Sequence, residues 1–203
     1  MKMVKVAITG GIGSGKSTAV KYFSKAGYPV FSCDKIYKQI YNTATFQREL
    51  AENFPSCIKA GKIDKKLLSQ LVFSNPSALK KLNQLSHERV MQALFIKMQQ
   101  TDSCLSFAEV PLLLEGGYQD CFDYTIVVLR DKAKRIRSVC ERDGLTEEQA
   151  LARIKNQWDY DSKENLTFIQ KETMYIVENH STVDVLERQL EKVLLNLLDN
   201  MKQ

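Results

Sequence analysis

One stretch constrains this chain more than any other: Gly10-Gly11-Ile12-Gly13-Ser14-Gly15-Lys16-Ser17-Thr18. It has the spacing of a glycine, four residues, then Gly-Lys-Ser/Thr, the pattern of a phosphate-binding P-loop. Such a loop has to lie between a strand and a helix, and both are legible. Val4-Lys5-Val6-Ala7-Ile8-Thr9 is a short, mostly apolar, β-branched run that reads as a buried strand. After the loop, Ala19, Val20, Tyr22, Phe23 and Ala26 recur at helical spacing, and Gly27 is placed to end that helix.

The chemistry explains the spelling. Glycines let the backbone turn tightly with few side chains in the way, so successive N–H groups point into one concavity. That concavity opens at a helix N-terminus, where the helix dipole adds to the attraction for phosphate. Gly11 through Thr18 would line it. Lys16 would reach the β- and γ-phosphates, and the Ser17 hydroxyl would join the coordination of Mg²⁺. The alternative is a glycine-rich turn with no ligand. At ordinary glycine usage the four fixed positions arise by chance in about one chain in a hundred of this length, and the flanking strand and helix lower those odds.

The 203 residues are enough for one α/β domain with insertions. With 44% hydrophobic and 26% charged residues, the balance is that of a soluble globular protein. Met1-Lys2-Met3 leads directly into the first strand, so no signal peptide is expected, and no apolar run approaches the length of a membrane helix. The five cysteines are odd in number and scattered without a Cys-x-x-Cys pair, which suits reduced thiols in a cytoplasm. A net charge of +5 is compatible with nucleic acid or with a small anionic substrate.

Along the chain, Tyr28–Cys33 reads as a second strand, with Asp34 directly after it. In an open parallel sheet, ligands sit beyond the carboxyl ends of the strands. Asp34 therefore suits either a proton acceptor for a substrate hydroxyl or a water-mediated Mg²⁺ site; it equally suits the N-cap of a helix beginning near Lys35. From Ile36 to about Gln100 the pattern is helical and longer than a crossover needs, which predicts an inserted helical subdomain for a second substrate. Asn75-Pro76 opens its long helix, with Leu79, Leu82, Leu85, Val90, Met91, Leu94 and Met98 along one side. His87 on that helix is either structural or functional. A third strand, Cys104–Glu109, ends in an acid that either assists Mg²⁺ or is simply solvated, and Pro111 closes its ladder. Tyr124–Leu129 and Met174–Glu178 are the fourth and fifth strands.

Basic residues concentrate after the fourth strand, at Arg130, Lys132, Lys134, Arg135, Arg137 and Arg142. Thr146–Gln149 is a capping box opening a helix that carries Arg153, Lys155 and Gln157. Either this is a solvated helical face or it is a lid whose arginines stabilise charge on a transferring group. Arg142 and Arg153, flanking the capped turn, are the chosen candidates for a lid. The stripe Val183, Leu186, Leu190, Val193, Leu194 and Leu197 is a closing core helix.

A P-loop alone leaves motor, switch and kinase open. The guanine-recognition Asn-Lys-x-Asp and the switch Asp-x-x-Gly are both absent. A compact P-loop, an acid after the second strand, a helical insertion and an Arg-rich lid describe a small-molecule kinase, in which catalysis is positioning and charge stabilisation.

At this point the whole chain resembles the dephospho-coenzyme A kinase family. The resemblance lies in Thr9–Thr18, Asp34, Leu82-Asn83-Gln84-Leu85-Ser86-His87, Val110-Pro111-Leu112-Leu113-Leu114-Glu115, Arg142-Asp143-Gly144-Leu145-Thr146 running on to Arg153 and Gln157, and Val177-Glu178-Asn179. It implies transfer of the ATP γ-phosphate, with Mg²⁺, to the ribose 3′-hydroxyl of dephospho-CoA in the cytoplasm. The implied partner is that small molecule alone, with no nucleic acid and no membrane, and the enzyme a monomer. The implied fold is a P-loop NTPase three-layer α/β/α with a five-stranded parallel sheet. Residues 1–34, 101–130 and 172–203 would be the nucleotide-binding core, 35–100 the CoA-side subdomain and 131–171 the lid. Asp34 becomes the general base. Lys16 and Arg142 act on the phosphates, Asn179 joins the adenine loop, and His87, Pro111 and Leu112 lie on the substrate side. The chain departs from the family's habits at Ser32-Cys33, where Asp-Ala is common, at Glu88 after the histidine, at Glu109, and at His180-Ser181. The competing readings are a kinase for another hydroxyl acceptor, such as a nucleoside or nucleotide, and an ATP-dependent nucleic-acid-binding or regulatory protein.

Overall fold

Val4–Thr9 forms strand β1, and its neighbours on both sides are parallel to it in a computed structural model that describes residues 3–202. The Met1-Lys2 start, on which the expectation of no leader rests, lies outside the described residues. Helix α1 (Lys16–Lys25) follows the glycine loop, and strand β2 (Val30–Ser32) follows α1. Beyond them come α2 (Cys33–Tyr41), α3 (Ala44–Asn53), a small hairpin β3 (Ile58–Lys59) and β4 (Lys62–Ile63), α4 (Lys65–Ser74) and α5 (Pro76–Gln99). The chain then returns to β5 (Leu105–Glu109), β6 (Tyr124–Leu129), α6 (Lys132–Asp143), α7 (Glu147–Lys155), α8 (Lys163–Phe168), β7 (Met174–Glu178) and α9 (Val183–Asn200).

Among the described residues the main sheet has five parallel strands in the order β2-β5-β1-β6-β7. Ile8 of β1 lies opposite Glu109 of β5 on one side and Ile126 of β6 on the other. The chain steps from β1 outward to β2, comes back through β5, and only then crosses to β6. The carboxyl end of β1 is therefore the switch point of the sheet, where open α/β folds leave a crevice for ligands.

Both faces of the sheet are covered, so its strands read as apolar runs rather than as alternating ones. Val6, Ile8, Phe107, Ile126, Val128 and Val177 pack with Phe23 of α1 and with Leu186, Leu190, Val193 and Leu197 of α9. Phe23 stacks on Phe107 with centroids 3.9 Å apart and planes 14° from parallel. Val127, pointing to the opposite face, joins Leu114, Tyr160 and Ile169. Each fully buried large side chain here contributes roughly 1.5–3 kcal/mol. Val183, counted in the α9 stripe, is 54% exposed and contributes little.

The chain divides into two compact units, one being Ser32–Lys97 and the other built from the segments on either side of it. The Ser32–Lys97 unit has its own core of Tyr41, Phe46, Leu50, Phe54, Cys57, Ile63 and Leu68. Asn75 caps α5 as its sequence suggests, its Oδ1 accepting the N–H of Ser77 at 3.0 Å and of Ala78 at 3.1 Å. Leu79, assigned to the apolar side of that helix, is 40% exposed, while Ser86 is buried. The hairpin was invisible to periodicity because each strand is two residues long. Its two-residue turn puts Ala60 at φ 51° and Gly61 at φ 76°, the twist a tight hairpin demands.

Among the described residues no helix is long and apolar enough to cross a membrane. Among the described residues Cys33, Cys57, Cys104, Cys121 and Cys140 form no disulfide.

Candidate active site

The glycine loop leaves β1 at Gly10 and enters α1 at Lys16, with Gly15 in the N-cap position. Gly15 sits at φ 99° and carries no side chain, so no cap competes for the first-turn amides of α1. A side chain there would be strained and would also run into the Asn179 amide. This is how an anion-binding helix start is spelled in sequence: the residue that would normally satisfy the orphan donors has been removed.

The loop carbonyls are taken up by side chains from several parts of the chain. Lys16 Nζ donates to the carbonyls of Gly10 at 2.7 Å and Gly11 at 3.1 Å. Arg135 Nε donates to Ile12 O at 3.2 Å, Arg130 Nη1 to Gly13 O at 3.1 Å, and Asn179 Nδ2 to Ser14 O at 2.8 Å. In a trans peptide the next residue's N–H points away from the C=O, so the Ile12 and Ser14 carbonyls, held by Arg135 and Asn179, turn the N–H groups of Gly13 and Gly15 the other way. Ser14 N–H is spent within the loop, on Gly11 O at 3.1 Å. Ile12 N–H goes to Gln157 Oε1 at 2.7 Å.

The residues singled out by sequence fall as follows. Gly11 and Ser14 are buried, Ile12, Gly13, Gly15, Lys16 and Thr18 are half-buried, and Ser17 is exposed in the first turn of α1. Pro111 and Leu112 lie half-buried in the turn after β5, beyond the same sheet edge as the glycine loop. Asn179, following β7, donates to the loop itself.

Asp34 is an exposed residue in the first turn of α2, and Ser32 takes the N-cap position. The strand before it, Val30–Ser32, is shorter than the expected 28–33 at both ends: Tyr28 and Pro29 precede it, and Cys33 already belongs to the helix. Placing α2's start at Cys33 removes the reading of Asp34 as the cap. His87 is half-buried on α5, and burial pushes its imidazole below the ordinary histidine range, which keeps it neutral at neutral pH.

Arg142 and Arg153 converge, but on a carboxylate. Arg142 meets Asp143 in a two-point pair, Nε to Oδ1 at 2.8 Å and Nη2 to Oδ2 at 3.0 Å. Arg153 Nη1 adds a third bond to Oδ2 at 2.8 Å. Arg142, first, and Arg153 with it hold the Asp143 carboxyl below the usual carboxylate range. Arg142 is 61% exposed, so its guanidinium is free to exchange partners at little cost. The capping box at Thr146 is present, with both reciprocal bonds to Gln149. Gln157 lies two residues past the end of α7, not on it.

The arginines that reach the phosphate loop are Arg130 and Arg135. Sequence reasoning noted both as part of a basic run but selected neither. For Arg135 a signal existed: it is one turn from Val139 on the same helix face, and these two are the buried residues of α6. A charged residue in phase with a core position is an inward charge. Tyr160, also missed, is buried beside the loop with its hydroxyl toward Thr9 and Gly10. Burial, with Glu115 nearby, pushes its phenol well up, so it stays protonated. Among the described residues no cluster of three or more His, Cys, Asp or Glu is arranged to hold a metal ion.

A doubly covered parallel sheet with a Gly-Lys-Ser/Thr loop at the carboxyl end of its central strand is the architecture of a P-loop NTPase. Within that class the comparison with known proteins is specific. A family model for dephospho-CoA kinase (CoaE) matches residues 4–184, and the chain belongs to that family. Curated dephospho-CoA kinases from Thermus thermophilus and Fusobacterium nucleatum are each 34% identical. The match covers 97% of this chain and 93% of the first, and 95% of this chain and 97% of the second. A crystal structure from Thermus thermophilus superposes with a TM-score of 0.82 at 33% identity, over 97% of this chain and 99% of that one. The dephospho-CoA kinase of Campylobacter jejuni gives 0.66 at 26% identity, over 95% and 96%.

Proposed function

We infer that this chain transfers the γ-phosphoryl group of ATP to the ribose 3′-hydroxyl of dephospho-CoA, giving CoA and ADP. The observation that carries the reading is the uncapped glycine loop at the start of α1, with Lys16 folded back on it at 2.7 Å from Gly10 O. Family membership supplies the acceptor. Phosphoryl transfer asks little covalent chemistry of a protein: it needs the triphosphate fixed, the developing charge met and the acceptor oxygen aimed.

The residues divide that work. The amides of Gly13, Gly15, Lys16 and Ser17 bind the phosphates, Ser14 and Thr18 line the cradle with their own N–H groups spent inside the loop, and Lys16 Nζ moves from the loop carbonyls onto the β- and γ-oxygens. Mg²⁺ fits the donor types available, since the exposed Ser17 hydroxyl and the Glu109 carboxylate at the end of β5 are hard oxygen ligands. When bound, the ion supplies charge neutralisation on the phosphates. Asp34 takes the proton of the 3′-hydroxyl. His87, Pro111 and Leu112 serve the acceptor side, and Asn179 serves the nucleotide by steadying the loop. Residues 35–100 act as the acceptor subdomain, 131–171 as the lid, and the remainder as the nucleotide-binding core.

The deciding assay measures ADP release with dephospho-CoA, adenosine and nucleoside monophosphates as alternative acceptors. Dephospho-CoA-dependent turnover with little from the others is expected. Equal use of adenosine, or no acceptor dependence, would overturn the assignment.

Arg142 offers a second test. As a lid residue it leaves Asp143 to meet charge that builds up during transfer, so Arg142→Ala should lower kcat by about 10²-fold, the scale of one lost charge-stabilising donor. ATP affinity in the ground state should change far less. A variant that binds ATP poorly yet turns over normally once saturated would exclude the lid role.

A further inference from the structure

Four glycines occupy a loop whose signature requires only two, and the additional ones have a structural cause. A Cβ on Gly11 would run into the guanidinium of Arg135, and one on Gly13 would lie 2.6 Å from the Arg135 carbonyl oxygen. A side chain at either position would collide with Arg135, and Gly13, at φ 77°, also takes a backbone turn that favours glycine. Arg135 is 1% exposed. A buried guanidinium is costly unless its donors are used; two nitrogens face partners, Nε the Ile12 carbonyl at 3.2 Å and Nη1 the Asp161 Oδ2 at 3.6 Å, with the Tyr160 ring 5.9 Å away, while Nη2 is buried beside Gly11 with no hydrogen bond. On its other side the Ile12 residue gives its N–H to Gln157 at 2.7 Å. Ile12 is thus gripped at both its carbonyl and its amide. Gln157, Tyr160 and Asp161 all come from the short connection between α7 and α8.

We propose that Arg135 and Gln157 are positioning residues that clamp Ile12, setting the phosphate loop in its transfer-competent shape and tying that shape to the connection after α7. The proposal rests on the phosphoryl-transfer reading and extends it. Arg135 acts through the Ile12 carbonyl; it touches no reacting atom. Its fork is essential because one edge holds Ile12 while another faces Asp161. A lysine ammonium would keep the charge and lose the two-sided geometry. If the connection shifts, Gln157 and Asp161 shift together, and the amide that presents the γ-phosphate moves with them. A displacement of about 1 Å at such a site costs about 10²-fold in rate.

Arg135→Lys, Gln157→Met and the double variant, made in the full chain, test this. Each single change should lower kcat by about 10- to 100-fold while leaving KM for dephospho-CoA within about twofold, because the acceptor is not what Ile12 positions. ATP affinity, measured by direct titration, should fall as the competent loop becomes a minor population. The double variant should be no worse than the weaker single one, since both release the same residue. A merely structural Arg135 would lower the melting temperature and leave kcat per folded molecule unchanged, which would overturn the proposal. So would strictly additive losses. Should Arg135→Lys fail to fold, Gln157→Met decides alone: the half-buried glutamine is dispensable for the core, and parental kcat and ATP affinity in that variant would sink the clamp. If the parent enzyme shows no dephospho-CoA turnover, the functional reading fails. The ATP titration of Gln157→Met then still tests the clamp, with unchanged affinity counting against it.

Discussion

Lys16→Met is expected to lower kcat by about 10³-fold, the largest single loss at this site. Lys16 begins α1, and its ammonium rests 2.7 Å from Gly10 O and 3.1 Å from Gly11 O. From that rim, one set of side-chain rotations carries it to the phosphates. It is the loop's own cation and only half-buried, whereas Arg135 is fully buried against the Ile12 carbonyl. Methionine matches the length of the stem and removes the ammonium, with its bonds to the Gly10 and Gly11 carbonyls, while the backbone that starts α1 should survive. Two measurements check this. Thermal melting should stay near the parent, since a half-exposed side chain is exchanged. Single-turnover transfer with saturating ATP and dephospho-CoA should show the full loss. Transfer within tenfold of the parent would mean that the loop amides carry the charge unaided, and Lys16 would lose its catalytic role.

The legible and illegible parts of this molecule divide by sequence separation. The glycine loop, the Asn75 and Thr146 caps and the α9 stripe are local patterns, and each stands where its residues place it. The strands were legible because both faces are buried, which makes runs such as Tyr124–Leu129 continuously apolar. What periodicity could not supply is the outer support of the loop. Gln157 lies 145 positions from Ile12, and Asn179 lies 165 positions from Ser14. Nothing local marks either as a partner. The resemblance places Asn179 in the adenine loop, and in the structure its amide donates to the Ser14 carbonyl. The choice of Arg142 and Arg153 followed their position beside the capped turn; it missed Arg135, whose phase with Val139 was the better guide to a charge turned inward. Local sequence thus marks the glycine loop, and only the fold reveals the distant side chains that take up its carbonyls.

Asp34→Asn should cut turnover by roughly 10²–10⁴, the range for a lost general base, with ATP affinity near normal. The substitution is unusually clean here. Asp34 stands in the first turn of α2 after the cap position, which Ser32 occupies, so asparagine removes no capping bond. The side chain is exposed, and the two residue types have nearly the same size, so packing around Cys33 and Ile36 is untouched. What asparagine cannot do is accept the 3′-hydroxyl proton as the oxygen attacks phosphorus. The defect should therefore appear in the transfer step and not in binding of either substrate. Steady-state kinetics with dephospho-CoA, beside an ATP titration and a melting curve, separate the possibilities. A large fall in kcat with parental melting identifies Asp34 as the base. Turnover within a few-fold of the parent would leave the acid as a surface residue of α2, and the proton would have to be taken by another group or by solvent.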